Sequence, residues 1–81
     1  MYVNEIKELE RGLNLVKPYL TSTEVSDANR TALNQITADG VALHEVLTLA
    51  AAESTELDAD VLKAAADWVQ WVDETVAVVE A

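Results

Sequence analysis

There is no cysteine in this chain of 81 residues, no phenylalanine, a single histidine and a single proline, and only two glycines. Without cysteine there can be neither a disulfide framework nor a thiolate metal site, and no thiol nucleophile. With His44 alone, zinc sites built on two or more histidines are excluded as well. Few glycines and one proline leave little turn chemistry for an all-β chain. Alanine, leucine, valine and glutamate are instead abundant, a helix-forming mixture. Cations are scarce too: five Lys and Arg stand against fifteen Asp and Glu, for a net charge of −10.

The charge is unevenly placed. Residues 1–30 hold five acids and four bases, whereas residues 31–81 hold ten acids against Lys63 alone. Repulsion therefore disfavours direct binding to nucleic acid or to an anionic membrane. No run approaches the roughly 20 apolar residues that span a bilayer. The opening residues, Met1-Tyr2-Val3-Asn4-Glu5-Ile6-Lys7-Glu8, alternate charge where a signal peptide would be apolar, so a cytoplasmic protein is expected.

Apolar residues make up 51% of the chain, too many for a disordered acidic tail. A single domain over residues 1–81 is expected. A chain of this size buries only about 60% of the surface its unfolded form exposes. With disulfides excluded and metal nearly so, association is the favoured way to add buried area.

Three helices are expected, at about 3–17, 24–52 and 59–80. In the first, Tyr2, Ile6, Leu9, Leu13, Val16 and Leu20 recur at alternating spacings of four and three. Pro18 deprives the Asn14 carbonyl of its partner and should stop or kink the helix near Lys17. Gly12 costs up to about 1 kcal/mol relative to alanine. Thr21 with Glu24 fits a capping box for the second helix, with Ser22 or Thr23 as other caps. Val25, Ala32, Leu33, Ile36, Leu43, Leu47 and Ala50 form its apolar arc, continuous across Asp39-Gly40. One long helix is the reading, with a break at Gly40 and a fourth helix as the alternative. An unbroken helix would place Gly40 mid-face, where another helix could approach closely. In the third helix Leu62, Ala65, Val69, Val72, Val76 and Val79 keep the heptad spacing, and Val61 and Trp68 widen the stripe. The fold class is thus all-α, an up-down-up three-helix bundle.

The third helix carries more apolar surface than three helices need. Its polar arc is narrow, and Trp71, Val78 and Ala64 lie beyond the edge of its core stripe. Tryptophan is over-represented among interface hot spots. The expected binding residues are Trp71, Val78 and Trp68, surrounded by Asp67, Asp73 and Glu74. A protein partner is expected, and a homo-oligomer, with a dimer favoured. The competing reading leaves Trp71 half-covering the core edge, as single exposed apolar residues commonly do.

The chain carries no recognisable catalytic constellation. His44-Glu45-Val46-Leu47-Thr48 begins like the zinc-protease helix, but Thr48 stands where the second histidine is required. The acids Glu53, Glu56, Asp58 and Asp60 lack the glycine of a calcium loop, and a solvated connector with helix-capping acids is expected. Ser22, Ser26 and Ser54 fall at expected helix starts or turns. Ala38-Asp39-Gly40-Val41 before an amphipathic helix resembles the attachment site of acyl carrier proteins. That family carries its arm on a serine after the aspartate, and Gly40 offers no hydroxyl. Exposed pairs Glu8–Arg11 and Asp27–Arg30 are expected to add a few tenths of a kcal/mol each. No cofactor and no metal are expected, and no enzyme activity.

The leading expectation is a non-catalytic protein that occupies a partner's surface, by analogy of size and charge with inhibitors of phages and mobile elements. One alternative is a structural or assembly subunit; another is an oligomer sequestering a small molecule, with Lys7, Arg11, Lys17 and Arg30 as candidate anion ligands. A third is a nucleic-acid mimic whose carboxylates stand in for phosphates.

Overall fold

A computed structural model describes all residues, Met1–Ala81, as three helices packed together with no strand. They are α1 (Val3–Leu20), α2 (Asp27–Glu53) and α3 (Ala59–Glu80). The bundle measures 42 × 19 × 17 Å. Its length is that of α2, whose 27 residues rise about 1.5 Å each. No helix is long and apolar enough to cross a membrane.

Helix α1 runs through Pro18 to Leu20 rather than stopping near Lys17. Proline in the last turn forfeits one backbone hydrogen bond. Tyr19 and Leu20 both pack against the core, which holds that turn in helical form. The Tyr19 hydroxyl also donates to Glu80 Oε1 at 2.7 Å.

Helix α2 begins later than expected. Its cap is Ser26, whose hydroxyl accepts the Asn29 N–H at 3.3 Å, not Thr21, Ser22 or Thr23. The turn before it is organised by Arg30. This guanidinium donates to the carbonyls of Leu20 (3.0 Å), Ser22 and Val25. The expected Asp27–Arg30 pair is therefore replaced by a clamp on three backbone carbonyls. Past the turn, α2 continues unbroken through Gly40 to Glu53. It ends at Ser54, left-handed at φ 55, with the Thr55 N–H bonded to the Ala50 carbonyl at 2.9 Å. That is a Schellman-type stop, and it carries a serine where glycine is usual.

The core is thin. Only 12 residues are buried, so the bundle interior is little more than one layer of side chains. Leu9 and Val16 come from α1, Leu33, Ile36, Leu47 and Ala50 from α2, and Ala65, Trp68, Val72 and Val76 from α3. The remaining buried residues are Gly12 and Gly40. All of the apolar side chains among them lie on the stripes read from periodicity.

The glycines are where the helices come closest. The Trp68 ring lies against both, at the centre of the bundle. A Cβ on Gly12 would fall 2.6 Å from the ring, and one on Gly40 would overlap the ring and approach Leu13 at 2.9 Å. Gly40 does admit a close approach, as expected, and what enters is the Trp68 side chain of α3. The absent Cβ also uncovers the carbonyl of Ile36, one turn earlier in α2. The Trp68 indole N–H donates to it at 2.8 Å. A buried tryptophan thus has both its volume and its polar atom accommodated.

Candidate protein-binding groove

Residues seven apart on a helix fall on nearly the same strip. On α2, Asp39 and Val46 are so related, with Ala42 and Leu43 between them. On α3, Ala64 and Trp71 are so related, with Asp67 and Trp68 between them. The packing of α2 on α3 brings these two strips side by side. Together their eight residues line a groove of about 630 Å³.

Its construction follows from the sizes of its residues. Ala42 and Ala64 are exposed and too small to fill the space between the helices. Leu43 and Trp68, packed into the core, form the apolar floor. Val46, 43% exposed, and the half-buried Trp71 stand along the sides. Asp39 and Asp67 supply the polar rim. Asp39 accepts the Gln35 side-chain amide at 3.0 Å, and Asp67 pairs with Lys63 at 2.7 Å. Pairs such as this on a solvent-exposed surface contribute little, typically below about 1 kcal/mol, and exchange readily.

The structure divides the residues expected to bind. Trp71, Trp68 and Asp67 line the groove. Trp68, however, is only 4% exposed and has given its N–H to Ile36, so it is a core residue that offers a surface beneath the groove rather than an anchor reaching outward. Val78 is 63% exposed, seven residues beyond Trp71 on the same strip of α3, and outside the groove. Asp73 points elsewhere: it accepts from Arg11 of α1 at 3.4 Å. Hydrogen bonds from Arg11 to Glu8 first and to Asp73 second raise the guanidinium pKa above its ordinary value. Glu74 accepts the Gln70 amide at 3.0 Å and does not line the groove.

Asp39, Ala42, Leu43 and Val46 are groove residues that the sequence pattern did not single out, because the continuous apolar arc of α2 accounts for its core face without them or, for Leu43, includes it. The available signal was Val46 itself, with Leu49, which lie off the main apolar arc of α2. Leu49 is 54% exposed.

Elsewhere, His44 on α2 places Nε2 3.7 Å from Glu10 Oε2 of α1, too long for a hydrogen bond. That ring nitrogen is buried and has no partner. No three His, Asp or Glu side chains converge in the manner of a metal site.

No family model, no curated protein and no solved structure matches this chain.

Proposed function

We propose that this chain is a non-catalytic helical binding protein that modulates a macromolecular partner, as an inhibitor would, by seating part of it in the α2–α3 groove. The observation carrying this reading is the side-by-side placement of Val46 and Trp71 over small residues, Ala42 and Ala64, in an open apolar cleft. Three-helix bundles need no such cleft for their own core. A fourth helix laid there would bury Trp71 and Val46. Full burial of a large apolar side chain gains about 1.5–3 kcal/mol, and both are already part-covered, so their joint gain is of the order of one such side chain.

The contacts between helices support an up-down-up order. Tyr2 receives the Leu57 N–H ahead of α3, while Arg11 meets Asp73 and Tyr19 meets Glu80, so α1 and α3 rise together. Arg30 reaches back to Leu20 and His44 lies near Glu10, so α2 runs against α1. In that order one edge of the bundle is the α2–α3 pair, the natural seat for an added helix.

Self-association is a second reading, favoured by Leu49 and Val78, which are exposed outside the groove. Light scattering on the wild type and Trp71→Ala separates the two: a concentrated monomer in both removes it. The main reading is tested by placing a photo-crosslinking residue at Val46 and, in a control, at Lys7 on α1. A discrete adduct in extract of the source cell from Val46 alone is expected; equal labelling from both positions, or none, would count against it.

A further inference from the structure

The charges around the groove specify its occupant further, on the footing that the groove is a docking site. Asp39 and Asp67 line it. Seven residues beyond Val46 on the strip of Asp39 stands Glu53, the last residue of α2. Seven before and seven after Asp67 on α3 stand Asp60 and Glu74. Carboxylates thus recur every two turns along α3, at Asp60, Asp67 and Glu74, and about four turns apart on α2, at Asp39 and Glu53 with Val46 midway between them. Lys63, spent on Asp67, is the one cation among residues 31–81. The remaining cations belong to residues 1–30, where Arg11 is engaged by Glu8 and Asp73, and Arg30 by backbone carbonyls.

We propose that the groove receives an amphipathic helix of a different protein, one whose apolar stripe is flanked by lysine or arginine. Helices lie in apolar grooves through residues spaced three and four apart. Ala42 and Ala64 leave room for such side chains to descend toward Leu43 and Trp68, and Val46 and Trp71 grip the stripe from either side. Flanking cations then meet Asp39 and Asp67, and beyond them Glu53, Asp60 and Glu74.

A second copy of this chain is the poorer occupant. It would set a molecule of charge −10 against another of −10. Stacking groove on groove would also oppose Asp39 and Asp67 to their own equivalents. Like charges juxtaposed across an interface are the ordinary means of rejecting a wrong partner. Nucleic acid and anionic lipid are rejected by the same field.

The test uses the full chain, labelled with nitrogen-15, and three helical peptides of about five turns with one apolar stripe. Their flanking positions are lysine, glutamine or glutamate. The lysine peptide is expected to bind about tenfold more tightly than the glutamine peptide, the scale of two or three exposed charge pairs acting together, and the glutamate peptide not to bind measurably. The Trp71 indole N–H signal should move on binding, while that of Trp68, held by Ile36, moves less. Asp39→Asn with Asp67→Asn should reduce the preference for lysine, leaving only what Glu53, Asp60 and Glu74 supply, and keep the affinity for glutamine. Trp71→Ala should abolish binding of both, and Val46→Ser, at an exposed position that leaves the fold intact, should weaken both.

Equal binding of the lysine and glutamine peptides would overturn the cationic partner and leave the docking groove standing. A dimer in light scattering, with the Trp71 signal changing on dilution and no peptide bound, would overturn it in favour of a second copy. Lysine-peptide binding that survives Trp71→Ala and Val46→Ser would overturn both the partner class and the groove, as would a monomer that binds none of the three.

Discussion

The Trp68 indole occupies the space a side chain on Gly40 would fill, and its N–H bonds the Ile36 carbonyl that the missing side chain leaves bare. The same ring lies against Gly12 on the opposite helix. Each glycine costs its helix up to about 1 kcal/mol in propensity. Each is retained by the tryptophan, which unites α1, α2 and α3 at one point.

Gly40→Ala should therefore destabilise the bundle although alanine favours helix. The methyl group would meet the Trp68 ring and Leu13, and overpacking of this kind costs about 1–3 kcal/mol. Gly12→Ala should fall in the same direction, with the ring as its principal obstacle. Urea denaturation read by circular dichroism checks both. An increase in midpoint for either would show that the ring moves aside at no cost.

That contact also marks where sequence reasoning ended. The four-and-three spacing of Ile6, Leu9, Leu13 and Val16, and of Ala65, Val69, Val72 and Val76, made the inner faces of α1 and α3 readable, because helical geometry allows few other partners for such stripes. The continuity of α2 across Gly40 was legible for the same reason. Periodicity set Trp68 within the widened stripe and Trp71, three residues on, beyond its edge, but it could not show that Trp68 is sealed in the core and withheld from a partner. That sealing is set by glycine sockets on two other helices, a tertiary fact. Nor could periodicity choose Ser26 over Thr21, Ser22 and Thr23 as the cap, since that choice depends on where Arg30 gathers the preceding carbonyls. The groove was half legible, on α3 through Trp71 and Ala64, and hidden on α2 until the packing set Val46 beside them.

Arg30 holds the turn between α1 and α2 through the carbonyls of Leu20, Ser22 and Val25. Hydrogen bonds from a charged donor are worth about 1.5–3 kcal/mol when the acceptor is otherwise unmet. Arg30→Ala should lose a comparable amount. Arg30→Lys should recover only part of it, because an ammonium lacks the planar fork that reaches several acceptors at once. Hydrogen exchange at the start of α2 should quicken in both variants.

Tyr19 links α1 to the end of α3 by donating to Glu80. That hydrogen bond, then burial and the nearby negative charge, raise the phenol pKa above its ordinary value. A raised folded pKa means that the folded chain holds the proton more tightly than the unfolded one. The contribution is complete below the unfolded pKa of about 10 and disappears as pH rises through the higher folded value. Absorbance at the phenolate band should show Tyr19 ionising at lower pH in Glu80→Gln than in the wild type, and Tyr19→Phe should remove the alkaline loss of stability attributed to this group. Unchanged titration in Glu80→Gln would count against the contact.

Ser54 ends α2 in a left-handed conformation, φ 55, that glycine adopts without a steric penalty. Ser54→Gly should raise stability by roughly 0.5–1 kcal/mol through relief of that strain, offset in part by the greater entropy of the unfolded chain. Thermal melts should show a higher midpoint, with the groove unaffected because Ser54 does not line it.

The two tryptophans should separate stability from binding. Trp68 is buried and hydrogen-bonded, so Trp68→Ala should cost about 3–5 kcal/mol, a large part of what so small a domain possesses. Trp71 is half-buried beside an open groove, so Trp71→Ala surrenders contacts on one side only and should cost about 1–2 kcal/mol. Helix content should survive the second substitution and fall with the first. If Trp71→Ala proved as damaging to the fold as Trp68→Ala, the ring would be a structural member of the core and its position beside the groove would carry no implication for a partner. If it left the fold intact, a loss of binding in the same variant would be owed to the groove and not to unfolding, the condition that a test of docking requires.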